Sequence, residues 1–168
     1  MRTGTTDSSV RDMLAALVRD NPDPALGPKM EKAIAMFKKE RNLLYIDLEP
    51  SARALRAVIK SQSHPDDLEY AVYIDHAGHF FCTTQNLRPC GGLRGQICKH
   101  VLLALVAAAK SGDGDARELS RWVSSTSATK PVLDKNEATQ IFMKYKDALS
   151  GILAWRPVEL LPEDFMAF

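Results

Sequence analysis

The chain has 168 residues, of which 45% are hydrophobic and 26% charged, an ordinary composition for a folded protein. This composition excludes collagen-like, coiled-coil and wholly disordered chains, and the length predicts a single domain over residues 1–168. Lys and Arg number 22 and Asp and Glu 21, so the formal net charge is +1. This balance excludes attraction of the whole molecule to nucleic acid or anionic membranes, and a nucleic-acid role would need a local basic patch.

The distribution of apolar residues argues against export and against membrane insertion. The first twenty residues contain several charges and no long apolar run, so a secretory signal is not expected. The longest aliphatic run, residues 101–109, is far shorter than the roughly 20 residues that span a bilayer. The odd number of cysteines, three, argues against a closed set of disulfides. These features predict a cytoplasmic protein with reduced thiols and no membrane partner. No small-molecule substrate is predicted.

The N-terminal region, residues 1–42, is predicted to be helical. Apolar residues recur at helical spacing over residues 10–18, with Ser8 or Ser9 as the N-terminal cap. A second helix is predicted to begin at Pro28, because proline suits the first position of a helix.

The middle of the chain changes to a strand pattern. Residues 43–48 and 69–74 are short and rich in Leu, Tyr, Val and Ile, which predicts strands. Residues 75–78 resemble a hairpin turn that leads into a further strand over residues 79–83. Residues 54–60 are ambiguous by pattern alone, because a serine could cap a helix there although the segment lies between two predicted strands.

Helices are predicted to follow the strands. Residues 100–110 are apolar on nearly every side, which is typical of a buried helix. In the C-terminal extension, residues 113–168, a helix is predicted over residues 116–123. Asp134 and Glu137 then form a pair like a capping box before a longer helix.

The cysteines form a cluster with one histidine. Cys82, Cys90 and Cys98 fall within seventeen residues, and His100 completes the pattern C-x7-C-x7-C-x-H. Three thiolates and one imidazole fill the tetrahedral shell of a structural zinc ion and leave no position for a reacting water. The pattern therefore predicts one Zn²⁺ that stabilises the fold without catalysis. His79 competes with Cys82 as the fourth ligand, and Cys82 could also be an ordinary buried core residue.

The C-x-H end of the pattern restricts the local structure. Side chains two residues apart in a helix point about 200° apart. Cys98 and His100 can therefore share a metal only if Cys98 lies in a loop and His100 in the first helical turn. Gly91, Gly92 and Gly95 would let that loop fold back sharply. One metal would then join a strand, a glycine-rich loop and the start of a helix.

This segment resembles a SWIM zinc finger, a ββα module that ends in C-x-H at the start of a helix. The C-K-H triplet that begins at Cys98 is followed by VLLAL, as at the end of that family's motif, and AVIKS and YAVYI resemble its preceding strands. The resemblance covers residues 43–110 and implies that residues 54–61 form a strand. The family's first two cysteines are usually spaced C-x-C, whereas seven residues separate Cys82 from Cys90.

The predicted fold class is α+β, with a small antiparallel β-sheet, a ββα zinc-finger-like unit and flanking helices. A helical region at residues 1–42 precedes a SWIM-like zinc-binding core at residues 43–110. A helical extension and tail occupy residues 113–168.

The resemblance implies a binding role, because SWIM domains occur in nucleic-acid-linked proteins and are also described as protein-interaction modules. The preferred hypothesis is a non-catalytic adaptor subunit of a protein complex, whose family associations connect it with nucleic acid. The acidic and apolar tail at residues 157–168 would either dock into a protein partner or pack on its own domain.

Direct DNA binding through the zinc loop is the first alternative. Arg88, Arg94 and Lys99 are basic, and no acidic residue occurs between Asp75 and Asp113. A basic patch of this kind can contact phosphates. The competing explanation is a mildly basic surface that only keeps the protein soluble.

A thiol enzyme that uses Cys98 is the second alternative, since a helix N-terminus and an adjacent base lower a thiol pKa. Such an enzyme would need His100 or another base aimed at the sulfur, together with a third, orienting group. The sequence indicates no such group, and the protein is predicted not to be an enzyme.

Overall fold

The computed structural model describes residues 5–21, 23–39, 42–61, 68–94, 96–111 and 113–151. The strands in this part of the chain are β1 (Leu43–Glu49), β2 (Ala54–Lys60), β3 (Glu69–Asp75) and β4 (Phe80–Thr84). They form one antiparallel sheet in the order β1-β2-β3-β4. The helices are α1 (Thr5–Asp20), α2 (Leu26–Lys39), α3 (Lys99–Ser111), α4 (Ala116–Thr126) and α5 (Lys135–Leu149). The predicted α+β class with a small antiparallel sheet is confirmed.

Both N-terminal helices begin earlier than predicted. Helix α1 begins at Thr5, so Ser8 and Ser9 lie inside the helix and the predicted cap is wrong. Helix α2 begins at Leu26, so Pro28 occupies its third position instead of its first. Proline is tolerated there because the N–H groups of the first turn have no partner within the helix.

Strand β2 is covered on both faces, which explains why its sequence pattern is ambiguous. Leu55, Ala57 and Ile59 pack into the main core around α3, whereas Val58 packs beneath α5. A strand buried on both faces is apolar throughout and loses the alternation that identifies a half-exposed strand. The assignment of residues 54–60 to a strand, which the resemblance implied, agrees with the structure.

Helix α3 lies at the centre of the main core. Every residue from His100 to Ala109 is buried. Helices α1 and α2 pack against α3, α4 packs against α1 and α3, and α3 contacts all four strands. Helix α5 lies on the opposite face of the sheet and buries Ala138, Ile141 and Tyr145 there. None of the helices in the described residues is long and apolar enough to cross a membrane.

Helix α5 is joined to the sheet by a charged contact as well as by apolar packing. The Asp134 carboxylate accepts the backbone N–H of Glu137 at 3.0 Å, which is the cap that the sequence predicts. The Glu137 side chain accepts a hydrogen bond from Arg56 on β2. Arg56 also donates to Glu49 Oε2 at 2.7 Å. Glu137 therefore connects the helix to the sheet and does not complete the predicted capping box.

Candidate metal centre

Cys82 and Cys90 face each other across a tight turn that follows β4. The backbone N–H of Cys90 donates to the carbonyl of Cys82 at 2.9 Å, and the N–H of Thr84 donates to the carbonyl of Arg88 at 2.9 Å. Residues paired in this way point their side chains to the same face, with Cβ atoms about 5 Å apart. The seven-residue gap is therefore a turn that returns the second cysteine to a position opposite the first.

Cys98 and His100 approach the same point from the N-terminus of α3. Cys98 lies immediately before the helix, and its carbonyl accepts the N–H of Leu102 at 3.2 Å. His100 is the second residue of the helix. Leu93 and Ile97, which are both buried, hold the intervening loop against the core. The C-x-H end has the arrangement that its spacing requires, with the cysteine in a loop and the histidine in the first helical turn.

The four side chains form one buried group. The Sγ atoms of Cys82, Cys90 and Cys98 and a ring nitrogen of His100 lie within 4.8 Å of one another. His100 Nδ1 is 3.6 Å from Cys82 Sγ and 3.3 Å from Cys90 Sγ. At the bond lengths typical of tetrahedral zinc, a sulfur and a nitrogen on the same ion are about 3.5 Å apart. The group is geometrically suited to a single metal ion.

Burial and mutual hydrogen bonds control the protonation of the three thiols. When no metal is bound, burial raises the pKa of the Cys82 thiol well above its usual value and that of the Cys98 thiol to about 12. Hydrogen bonds from Cys82 and Cys98 instead lower the pKa of Cys90. Three neighbouring thiolates repel one another, and a bound cation is what allows all of them to ionise together. The shift at Cys98 is opposite to the one that a nucleophilic thiol needs.

Two neighbours orient the ligands. Tyr70 on β3 stacks on the His100 ring, with 4.3 Å between the ring centroids and 20° between the planes. The backbone N–H of Gly92 donates to Cys90 Sγ at 3.4 Å, which favours the thiolate form. Tyr70 was not among the predicted site residues, although strand alternation places it on the sheet face toward α3.

Gly92 is the loop position where a side chain is expected to disturb the centre. A Cβ atom there would lie 3.3 Å from Cys98 Cβ and 3.6 Å from Cys90 Sγ, whereas a Cβ atom on Gly91 meets nothing within 4 Å. We expect Gly92→Ala to weaken metal affinity about tenfold by displacing these ligands, while Gly91→Ala leaves it unchanged. Competition with a chromogenic chelator measures both affinities, and equal values would contradict the prediction. Gly95, the third predicted loop glycine, lies outside the described residues.

The remaining predicted site residues lie outside the four-residue group. His79, the alternative fourth ligand, is 71% exposed at the turn between β3 and β4, and its Nδ1 lies 3.1 Å from Asp75 Oδ2. Arg94 and Lys99 line a cavity beside the metal centre. Arg88 is exposed at the turn after β4 and is not among the residues that line this cavity.

Comparison with known proteins does not identify a family for this chain. No protein-family model matches it, and searches of curated proteins and of solved structures found no significant match. The SWIM resemblance of residues 43–110 therefore stays a prediction from the sequence.

Proposed function

We propose that this protein is a non-catalytic interaction module organised by one structural zinc ion, and that it acts as an adaptor subunit in a protein complex. The observation that carries the proposal is the buried group of three cysteines and one histidine. Thiolate and imidazole are the donors that tetrahedral zinc favours, and four protein ligands leave no position for water or substrate. A closed site of this kind stabilises a surface and does not perform chemistry.

The zinc would join β4, the glycine-rich loop and the start of α3 at one point. Cys82 belongs to β4, Cys90 follows the tight turn, Cys98 ends the glycine-rich loop, and His100 belongs to α3. Binding of structural zinc contributes on the order of 10 kcal/mol to the free energy of folding in comparable sites. The loop would thereby be held rigid at the molecular surface, where a binding module needs a defined shape. The SWIM resemblance also supports a binding role.

His79 and Asp75 form a histidine–carboxylate pair at the β3–β4 turn, and the contacts of this pair indicate a structural role and not a catalytic one. The Asp75 carboxylate accepts the backbone N–H groups of Ala77 and His79, both at 3.0 Å. It also accepts the hydroxyl of Tyr73 at 3.1 Å. These contacts are typical of an aspartate that closes a turn. The pair is therefore accounted for by the β3–β4 turn.

The zinc centre is tested by elemental mass spectrometry of the purified full chain together with a thiol titration. We expect close to one zinc per chain, with all three thiols unreactive until a chelator is added. A protein without metal and with a single fast-reacting thiol would overturn the proposal and favour the thiol enzyme.

The adaptor role is tested by sizing the tagged full chain from its native cells under mild lysis. We expect it to migrate in an assembly with a stoichiometric protein partner, and we expect His79→Ala to behave in the same way. The Cys98→Ser variant is expected to be absent from this assembly, because without zinc the surface loop is no longer held rigid. A zinc-loaded chain that migrates alone would contradict the adaptor role while leaving the zinc centre intact.

A further inference from the structure

A cavity of about 470 Å³ opens beside the metal centre. This volume falls in the range of sites that bind small molecules. Four of its described lining residues are cations, namely Lys29, Lys32, Arg94 and Lys99, and no acidic side chain lines it in the described part of the chain. Apart from the metal ligands Cys90 and His100, the charged side chains that line it in the described part of the chain are thus all cationic, although the whole chain is nearly neutral.

The four cations come from three separate parts of the fold. Lys29 and Lys32 are three residues apart on α2 and therefore share one face of that helix. Arg94 belongs to the loop before α3, and Lys99 is the first residue of α3. Lys29 Nζ donates to the carbonyl of Ile97 at 2.8 Å, which ties α2 to the loop. The convergence of charge is therefore built into the packing.

The backbone of Arg94 has an unfavourable conformation. Its φ angle is +34°, in a region that glycine and asparagine adopt far more readily than arginine. Residues held in such sparsely populated backbone conformations cluster at binding and active sites. The loop thus places a guanidinium at the cavity in spite of its backbone preference.

None of these four cations is a ligand of the metal centre. Three thiolates, a neutral imidazole and Zn²⁺ carry one net negative charge. Lys32 and Arg94 are exposed and are not metal ligands, so their charges are accessible to a ligand that enters the cavity.

We propose that this cavity binds the phosphate group of a nucleotide, either free or within a single strand of nucleic acid. Ammonium and guanidinium groups are the usual protein donors to phosphate, and one phosphate accepts from several sides. The cavity is larger than a phosphate alone requires, which leaves space for the attached sugar and base. This inference goes beyond the proposed function and depends on it only because zinc would position the loop.

The test compares ligands that differ in phosphate, using the zinc-loaded full chain at low salt. The probes are adenosine 5′-monophosphate, adenosine and a fluorescent single-stranded oligothymidylate, with an oligoglutamate peptide as the acidic comparison. We expect binding of the monophosphate, the oligonucleotide or both, and no binding of adenosine. Lys32→Gln with Arg94→Gln is expected to weaken that binding about tenfold or more. For the oligonucleotide, the log–log salt slope should fall by about 1.4, or about 0.7 per phosphate contact.

A matched control removes the same charge outside the cavity. Arg88 and Lys130 are exposed and do not line it, so Arg88→Gln with Lys130→Gln is expected to change affinity less than about twofold. Binding of the monophosphate identifies a free nucleotide as one source, and binding of the oligonucleotide alone identifies a strand. The proposal is overturned if neither binds, if only oligoglutamate binds, or if both double variants lose affinity equally. Zinc content and the thermal midpoint of each variant separate failure of the cavity from failure of the zinc module.

Discussion

Cys98→Ser is expected to abolish stoichiometric zinc binding and to lower the midpoint of thermal unfolding by roughly 20–40 °C. Serine has nearly the same shape, but its hydroxyl does not ionise at neutral pH and is a poor zinc ligand. Cys98 is fully buried, and the loss of its thiolate leaves the other three ligands without a complete shell. Elemental mass spectrometry and calorimetry of the purified full chain measure the two effects.

The matched control is His79→Ala, which removes the alternative fourth ligand. His79 is 71% exposed and pairs with Asp75, so this variant is expected to keep its zinc and nearly all of its stability. If Cys98→Ser does not fold, chelation of the wild-type chain provides the same comparison, since it should lower the midpoint to a similar extent. Full zinc and an unchanged midpoint in Cys98→Ser would show that the site is assigned wrongly.

Gly78→Ala is expected to destabilise the zinc-loaded protein by about 2–4 kcal/mol. Gly78 has a φ angle of +86°, and a Cβ atom there would lie 2.5 Å from the carbonyl oxygen of Ser125. The obstacle is backbone, and it lies within α4, so it cannot move aside as a flexible side chain would. The carbonyl of Gly78 also accepts the hydroxyl of Thr129 at 2.6 Å, which fixes the β3–β4 turn against the end of α4. Denaturant unfolding of the two proteins measures the difference.

Gly151→Ala separates the two causes of this destabilisation. Gly151 has a similar φ angle of +80°, but a Cβ atom there meets nothing within 4 Å. The control therefore retains the cost of a left-handed residue, about 1 kcal/mol, without the contact. An equal loss of stability in both variants would show that the approach to Ser125 contributes nothing.

The candidate centre is largely predictable because its residues are close in sequence. The requirement that Cys98 precede α3 and His100 follow its start depends only on helix geometry. The pairing of Cys82 with Cys90 is different, because a seven-residue gap is compatible with many loops. Backbone hydrogen bonds across the turn are what place these two thiols together. His79 instead lies at the turn between β3 and β4, beside Asp75.

The elements of the fold differ in how clearly their sequence marks them. Strand β3 and helix α3 are each marked by an apolar run of a length typical of that element. The start of α2 is not, because Pro28 is compatible with any position in the first turn. Strand β2 lacks a visible period because two different layers cover its faces.

Residue chemistry alone was enough to indicate the α+β class, a buried helix after the cysteines and a donor set suited to zinc. It also pointed to Arg94 and Lys99, because these cations are part of the same loop and helix start. It did not point to Lys29 and Lys32, since Lys29 is 68 residues from the carbonyl that it contacts, that of Ile97. The side of α3 on which α2 packs depends on how all the apolar surfaces are buried together. That packing, and no local pattern, creates the basic cavity beside the metal centre.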